Sequence, residues 1–286
     1  MIRLGEFQDL VIVKKVEFGV YLVPEEVVGD NEALQEHKVL LPAKYVPEGK
    51  GVGDVVKAFL YKDSKDRLIA TTLQPKLVMG DVARLRVAQV SKIGAFLDWG
   101  LEKDLLLPFK QQKKRVKEGE EVLVSLYIDK SERLCATMNV YHELRTDSPY
   151  HKDDRVTGTV YEISPNFGAF VAVDDQYSGL IAKKELYGEV QIGETVSARV
   201  LQVKEDGKLD LSVREKAYLQ ISEDAEKIAD LIDRFGGALP FNDKASPEVI
   251  KRETGMSKNE FKRAVGNLLK NGRIKITEKG ILKISD

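Results

Sequence analysis

The sequence predicts a multidomain chain, mainly β with a small α+β end: three small β-barrels followed by a three-helix unit that carries a β-hairpin. Three observations lead there. A set of short motifs occurs three times along the first three quarters of the chain. Apolar residues within each copy alternate with a period of two. Beyond residue 217 the apolar spacing changes to that of a helix.

The repeats are visible by self-comparison. "LYKDSKDRLIATT" (60–72) returns as "LYIDKSERLCATM" (126–138), identical at 7 of 13 positions. "FGVYLV" (18–23) returns as "IGAFLD" (93–98) and "FGAFVA" (167–172), and Gly19, Gly94 and Gly168 lie 75 and 74 residues apart. "LLP" at 40–42 and 106–108 corresponds to "GLI" at 179–181. The first copy carries nine extra residues inside "PEEVVGDNEALQEHK", a polar stretch expected to form an exposed loop. The domains expected from these limits are 1–75, 76–145, 146–217 and 218–286.

Segments such as "DVARLRVAQV" (81–90), "RVTGTVYEI" (155–163) and "TVSARVLQV" (195–203) alternate apolar and polar residues. Glycine, proline and Asp/Asn clusters separate them, so each copy reads as about five short strands. A sheet of about 70 residues must close or leave its edges exposed, and a five-stranded barrel closes it.

The last block reads differently. "SEDAEKIADLIDRF" (222–235) has apolar residues at 225, 228, 229, 231 and 232, which is helical spacing. Ser246 and Pro247 start a second helix as N-cap and first helical residue. Ser257 and Glu260 form a capping box for a third helix, which Asn271-Gly272 ends. Phe261, Val265, Leu268 and Leu269 form its apolar stripe. "RIKITEKGILKI" (273–284) reads as a hairpin, and three helices with a hairpin wing make a winged helix.

Composition narrows the function classes. Apolar residues make up 43% and charged residues 32% of 286, which suits several small domains with much surface each. No apolar run approaches the roughly 20 residues of a membrane span. The N-terminal stretch lacks the features of a secretion signal, and the single cysteine, Cys135, excludes an internal disulfide. A cytoplasmic location is therefore expected. The net charge is −1, but it is unevenly spread: the four domains carry −2, +3, −4 and +2, and residues 244–286 hold 11 basic against 5 acidic side chains. Local basic surface, rather than the chain total, governs phosphate binding.

The third copy, "GTVYEISPNFGAFVAV…SGLIAKKEL…IGETVSARVLQVKEDGKLDLSVREK", closely resembles the ribosomal S1-type RNA-binding domain, an OB-fold. The first two copies resemble more divergent members of that type. Their "FLYKDSKDRLIATT" and "GAFLDWGLEKDLLLP" look like the bacterial CvfB (YitL-like) family, in which tandem S1-type modules precede a winged helix. The resemblance covers nearly the whole chain. It implies three S1-type OB-fold β-barrels and a winged helix domain, with RNA binding and a role in post-transcriptional regulation.

OB-folds hold single strands by stacking bases on aromatic rings and meeting the backbone with cations. The resemblance places the rings around the strand glycine: Phe18 and Tyr21, Phe96, and Phe167 with Phe170. Ile93 stands where the second copy should have its first ring. If Val20 and Leu22, Ala95 and Leu97, and Ala169 and Val171 point inward, then Tyr21, Phe96 and Phe170 point outward. Phe18 and Phe167 fall on the opposite parity unless the glycine acts as a bulge. Trp99 shares the parity of Leu97, so it is expected to cap the core with its indole N–H at a polar partner. Many S1-type domains have a histidine after "GLI"; here that place is taken by Ala182, with Pro42 and Pro108 in the other copies. Each copy instead has a lysine shortly after, Lys44, Lys110 and Lys184. Arg67, Arg133 and Lys208 precede the last strand. They are candidates for phosphate contact, or else for local pairing with Asp63 or Asp129.

In the winged helix, Lys258, Asn259, Lys262 and Arg263 on the third helix, with Lys270, Arg273, Lys275, Lys279 and Lys283 around the wing, are candidates for nucleic-acid contact. His37, His142 and His151 are scattered and show no metal-ligand spacing. "GKGVGD" (49–54) leads into a strand, so no helix N-terminus awaits a phosphate. Cys135 lies in a strand expected to be buried. No enzymatic activity, metal or cofactor is expected. The expected partner is RNA, single-stranded, held by several weak modules that gain from effective concentration. Two alternatives stand beside it: a duplex-DNA-binding regulator acting through the winged helix, and a non-enzymatic protein-interaction scaffold with a protein partner of the winged helix. No membrane partner is expected.

Overall fold

The computed structural model describes residues 2–186, 190–213 and 217–284, and forms two compact units, 1–213 and 214–286. Each is described by itself.

The first unit holds three five-stranded sheets with one strand order. In the first, β1 (Phe7–Val16), β2 (Gly19–Val23), β3 (Val39–Pro42), β4 (Val55–Lys62) and β5 (Leu68–Thr71) close in the order β1-β2-β3-β5-β4. The second uses β6 (Val82–Val90), β7 (Gly94–Asp98), β8 (Leu105–Pro108), β9 (Glu121–Ile128) and β10 (Leu134–Thr137). It has the order β10-β9-β6-β7-β8 and does not close by strand pairing. The third closes β11 (Arg155–Ser164), β12 (Gly168–Val173), β13 (Tyr177–Ala182), β15 (Leu209–Ser212) and β14 (Thr195–Val203) in that order.

In all three the long first strand carries a register shift at the same place: Ile12/Lys14, Val87/Gln89 and Val160/Glu162. A bulge there bends the strand so that it can pair with a neighbour on either side of the barrel. The strand glycine that follows is required by close approach. Gly168 has φ +120°, and a Cβ on it would collide with the Ile181 carbonyl oxygen of the neighbouring strand. Gly19 and Gly94 meet the carbonyls of Leu41 and Leu107 in the same way.

The polar insertion of the first barrel is not a plain loop. It contains a 3-10 turn (Glu25–Val27) and a short helix, α1 (Asn31–His37). Asp30 caps that helix, its carboxylate accepting from the N–H groups of Glu32 and Ala33. The run of helix-forming residues after Asp30 favours this outcome.

Neighbouring barrels share side chains. Trp99, 2% exposed, follows β7 and packs in one cluster with Phe59 and Tyr61 of β4. The indole meets those rings edge-on, with centroids 5.8 and 6.3 Å away, and its Nε1 donates to the Lys103 carbonyl at 2.6 Å. The expected capping role is thus extended, because the core Trp99 closes belongs to two barrels. Between the second and third barrels, Leu123, Val140, Leu144, Tyr161 and Ala172 form a smaller cluster. Beside it, Arg84 of β6 hydrogen-bonds Asp175 and Thr159, and Lys113 Nζ lies 2.8 Å from Glu162.

The second unit contains α2 (Ala217–Arg234), β16 (Ala238–Leu239), α3 (Pro247–Thr254), α4 (Lys258–Lys270), β17 (Ile274–Thr277) and β18 (Gly280–Lys283). Ser246 caps α3, and Ser257 with Glu260 forms the capping box of α4. β16 joins the β17–β18 hairpin as a third strand through β18. Phe261, Ala264, Val265 and Leu268 bury the inner face of α4. Leu269, expected in that stripe, is instead 46% exposed, because Ala264 and Leu268 already fill the contact arc of the helix.

Trp99→Ala is expected to remove about 3–5 kcal/mol of stability, the cost of a fully buried large ring. Urea denaturation followed by circular dichroism measures it. A loss below about 1 kcal/mol would show that the shared core does not depend on the indole.

Candidate nucleic-acid interface

The middle residue of each glycine strand is half-exposed between buried neighbours: Tyr21 in β2, Phe96 in β7 and Phe170 in β12. Phe18 and Phe167 stand at the hairpin turns just before the strands and are well exposed, Phe167 at 62%. Ile93 occupies the same place in the second barrel and is also exposed. Trp99, by contrast, offers no surface for stacking.

The candidate cations fall in two places. Lys44, Lys110 and Lys184 lie exposed on 3-10 turns that follow the third strand of each barrel: Ala43–Tyr45, Phe109–Gln111 and Lys183–Glu185. Arg67, Arg133 and Lys208 sit on equivalent turns before the last strand, where the N–H of Asp63, Asp129 or Lys204 donates to their carbonyl groups. The side chains differ from barrel to barrel. Lys44 is paired with Glu102 of the second barrel. Arg67 holds Asp63 through two nitrogens, at 2.9 and 2.7 Å. Burial raises the Asp63 carboxyl, but hydrogen bonds from the Arg67 side chain and from the Arg67 and Lys65 N–H groups outweigh it and keep the group below its ordinary value. The Arg133 guanidinium faces Asp66 of the first barrel at 3.7 Å rather than Asp129. Lys103, on the same side, donates to the Asp63 carbonyl at 2.9 Å. The two candidate cations of the first barrel are therefore engaged, Arg67 by its own turn and Lys44 by the second barrel.

The third barrel brings Phe167, Phe170 and Lys208 to one groove of about 640 Å³, whose lining does not include Lys184. Phe167, Phe170, Tyr141 and Tyr161 supply rings, Lys204 and Lys208 supply cations, and Glu162 and Asp206 supply carboxylates; Lys204 Nζ lies 3.0 Å from Asp210. Phe170 lies at the centre. Its ring centroid is 6.4 Å from Phe167, 6.2 Å from Tyr141 and 6.1 Å from Tyr161. Lys208 Nζ is 5.7 Å from the Tyr141 ring centre and 2.7 Å from Asp206. Those two contacts, Asp206 first, raise the Lys208 ammonium above its ordinary value. Tyr161 is 3% exposed, and its hydroxyl is one of the few buried polar atoms, among the described residues, that lack a hydrogen-bond partner. Burial above all raises that phenol well above its ordinary range. The matching face of the second barrel has a smaller hollow of about 220 Å³, lined in part by Ile93, Phe96 and Arg133. It also borders Cys135, whose thiol burial pushes up to about 11, so it is held as a neutral core group.

Three stretches match known domain families: residues 4–73 and 79–139 the S1 domain, residues 142–215 the second domain of virulence regulatory factor CvfB, and residues 226–282 the CvfB-like winged helix domain. The chain belongs to the CvfB family. It is 31% identical over 281 residues to the uncharacterized protein YitL of Bacillus subtilis, covering 95% of this chain and 91% of that one. It is 32% identical over 248 residues to conserved virulence factor B of Staphylococcus saprophyticus, covering 80% and 82%. A crystal structure of a multidomain protein with nucleic acid binding domains from Streptococcus pneumoniae aligns over 98% of both chains, at 27% identity and a TM-score of 0.48. S1 and winged-helix domains together support nucleic-acid binding by this CvfB-family chain.

In the winged helix of this family member, Asn259, Lys262, Arg263, Lys270, Lys275 and Lys279 are exposed. Lys258 donates to the Ala245 carbonyl at 2.9 Å, Arg273 is paired with Glu226, and Lys283 lies 2.6 Å from Asp233. Among the described residues no group of three or more His, Cys, Asp or Glu side chains is disposed to hold a metal ion, and no helix is long and apolar enough to cross a membrane.

Sequence reasoning missed Tyr141 and Lys204, and it treated His142 only as a scattered histidine. Tyr141 and His142 lie in the connector that follows the second barrel and have no counterpart in the repeat. The available signal was "NVYHEL", two adjacent rings between the apolar Val140 and Leu144.

Phe167→Ala is expected to change stability by less than about 0.5 kcal/mol, whereas Phe170→Ala, half-buried over the inter-barrel cluster, is expected to cost about 2 kcal/mol. Thermal unfolding of the two variants checks this, and equal losses would contradict the surface assignment of Phe167.

Proposed function

We propose that this chain binds single-stranded RNA, with the groove of the third barrel as its main strand-binding surface and post-transcriptional regulation as its role. The observation that carries the reading is the placing of an exposed ring, Phe167, and a half-exposed one, Phe170, beside Lys204 and Lys208. Rings accept the faces of bases, and ammonium groups meet the phosphates between them. Duplex bases already stack on one another and offer no free faces, so the groove favours a single strand. The choice of RNA over DNA is supported by the S1-domain matches of the first two barrels and by the resemblance of the third copy's sequence to the same type.

The winged helix supports a second reading, duplex-DNA binding, through the exposed Asn259, Lys262 and Arg263 on α4. Arg273 and Lys283, engaged by Glu226 and Asp233, contribute less to it.

Fluorescence anisotropy with labelled single-stranded RNA and with duplex DNA, at two salt concentrations, separates the readings. Tighter binding to RNA that weakens with salt is expected. Phe167→Ala is expected to reduce it about tenfold, within the ~1–3 kcal/mol that one stacked base contributes. Equal or tighter binding to duplex DNA, unchanged by Phe167→Ala, would overturn the RNA reading in favour of α4.

A further inference from the structure

We infer that Tyr141 makes the groove a composite site for two adjacent bases, with the second stacking platform supplied by the connector between the second and third barrels. The inference rests on the strand-binding reading above and goes beyond the rings of the barrel itself.

The connector is held at both ends. Asn139 Nδ2 donates to Gln111 Oε1 of the second barrel at 3.2 Å. At the other end the Arg145 N–H donates to the Gln176 carbonyl at 2.8 Å, and the Ser178 N–H donates to the Arg145 carbonyl at 2.9 Å. Val140 and Leu144 are buried in the cluster between the barrels. A turn in which the Glu143 N–H donates to the Val140 carbonyl lifts Tyr141 and His142 out of that cluster. Tyr141 is 41% exposed although its neighbour Val140 is fully buried. Its ring makes T-shaped contacts with His142, at 5.3 Å and 84°, and with Phe170, at 6.2 Å and 90°.

Phe167 and Tyr141 thus flank Phe170, each presenting an exposed ring. Lys208 lies against the Tyr141 ring. A base that stacks on Tyr141 brings its phosphate to that ammonium, and the adjacent base takes Phe167. His142 acts as a positioning residue for Tyr141. The connector that carries the second platform is anchored on the second barrel at Asn139 and on the third at Arg145, so two barrels build one site.

The test uses the full chain and a labelled single-stranded oligouridylate, comparing wild type, Phe167→Ala, Tyr141→Ala and Tyr141→Phe. Ultraviolet crosslinking of the wild type to the same RNA, with peptide mapping, runs beside it. Tyr141→Ala is expected to raise Kd about tenfold, as Phe167→Ala does, because each removes one stacked base. Tyr141→Phe keeps the ring and is expected to stay within about twofold of wild type. Crosslinks are expected in both 139–145 and 166–172. If Phe167→Ala weakens binding while Tyr141→Ala does not, the composite site is overturned and the strand-binding reading stands. If the wild type binds no RNA, that reading falls and the composite site with it. Should Tyr141→Ala fold poorly, the crosslink map decides: links confined to 166–172 overturn the inference.

Discussion

A barrel built from some seventy residues encloses too little apolar volume to be comfortably stable alone, and the first unit answers this by sharing cores between barrels. The clearest instance is Trp99, a residue of the second barrel whose ring closes against Phe59 and Tyr61 of the first. The second and third barrels share Leu123, Val140, Leu144 and Tyr161 in the same manner, with the Arg84–Asp175 pair beside them. Sharing turns three repeats into one compact unit.

That arrangement decides which faces stay open. The turn Asp63–Arg67 and Lys44 of the first barrel engage Lys103, Arg133 and Glu102 of the second, so Lys44 and Arg133, which the repeat places for phosphate contact, serve the junction instead, while Arg67 holds Asp63 of its own turn. The second barrel has Ile93 in place of a ring, and its hollow is small. The third keeps both rings and gains Tyr141, and in place of Asp63 and Asp129 it has Lys204. The groove lining balances Lys204 and Lys208 with Glu162 and Asp206, and the two lysines form their ion pairs within their own barrel, with Asp210 at 3.0 Å and Asp206 at 2.7 Å. Duplication supplied three similar surfaces, and packing has made them unequal.

Much of this was legible in the sequence because it is periodic or local. The alternation around Gly19, Gly94 and Gly168 gave the outward parity of Tyr21, Phe96 and Phe170. The caps at Ser246 and Ser257 depend on a few consecutive residues, and the helices begin there. What was illegible depends on contacts far apart in the chain. Nothing near Trp99 reveals that Phe59 and Tyr61 await it, and nothing near Tyr141 reveals Phe170. The helix in the first barrel's insertion was legible in principle, since Asp30 and the helix formers after it are local signals. They were outweighed by the polarity of the stretch. The exposure of Leu269 follows from the width of a three-helix contact, which the spacing of one helix does not contain.

Hydrogen-exchange mass spectrometry of the full chain, with and without a saturating single-stranded oligouridylate, tests the placing of the strand most directly, because amide protection reports where the chain is covered without any substitution. Protection is expected to gather in residues 139–145, 166–172 and 204–208 and to leave α4 and the hairpin unchanged. Protection of α4 and the hairpin, with none on the third barrel, would contradict the placing of the strand in the third barrel's groove.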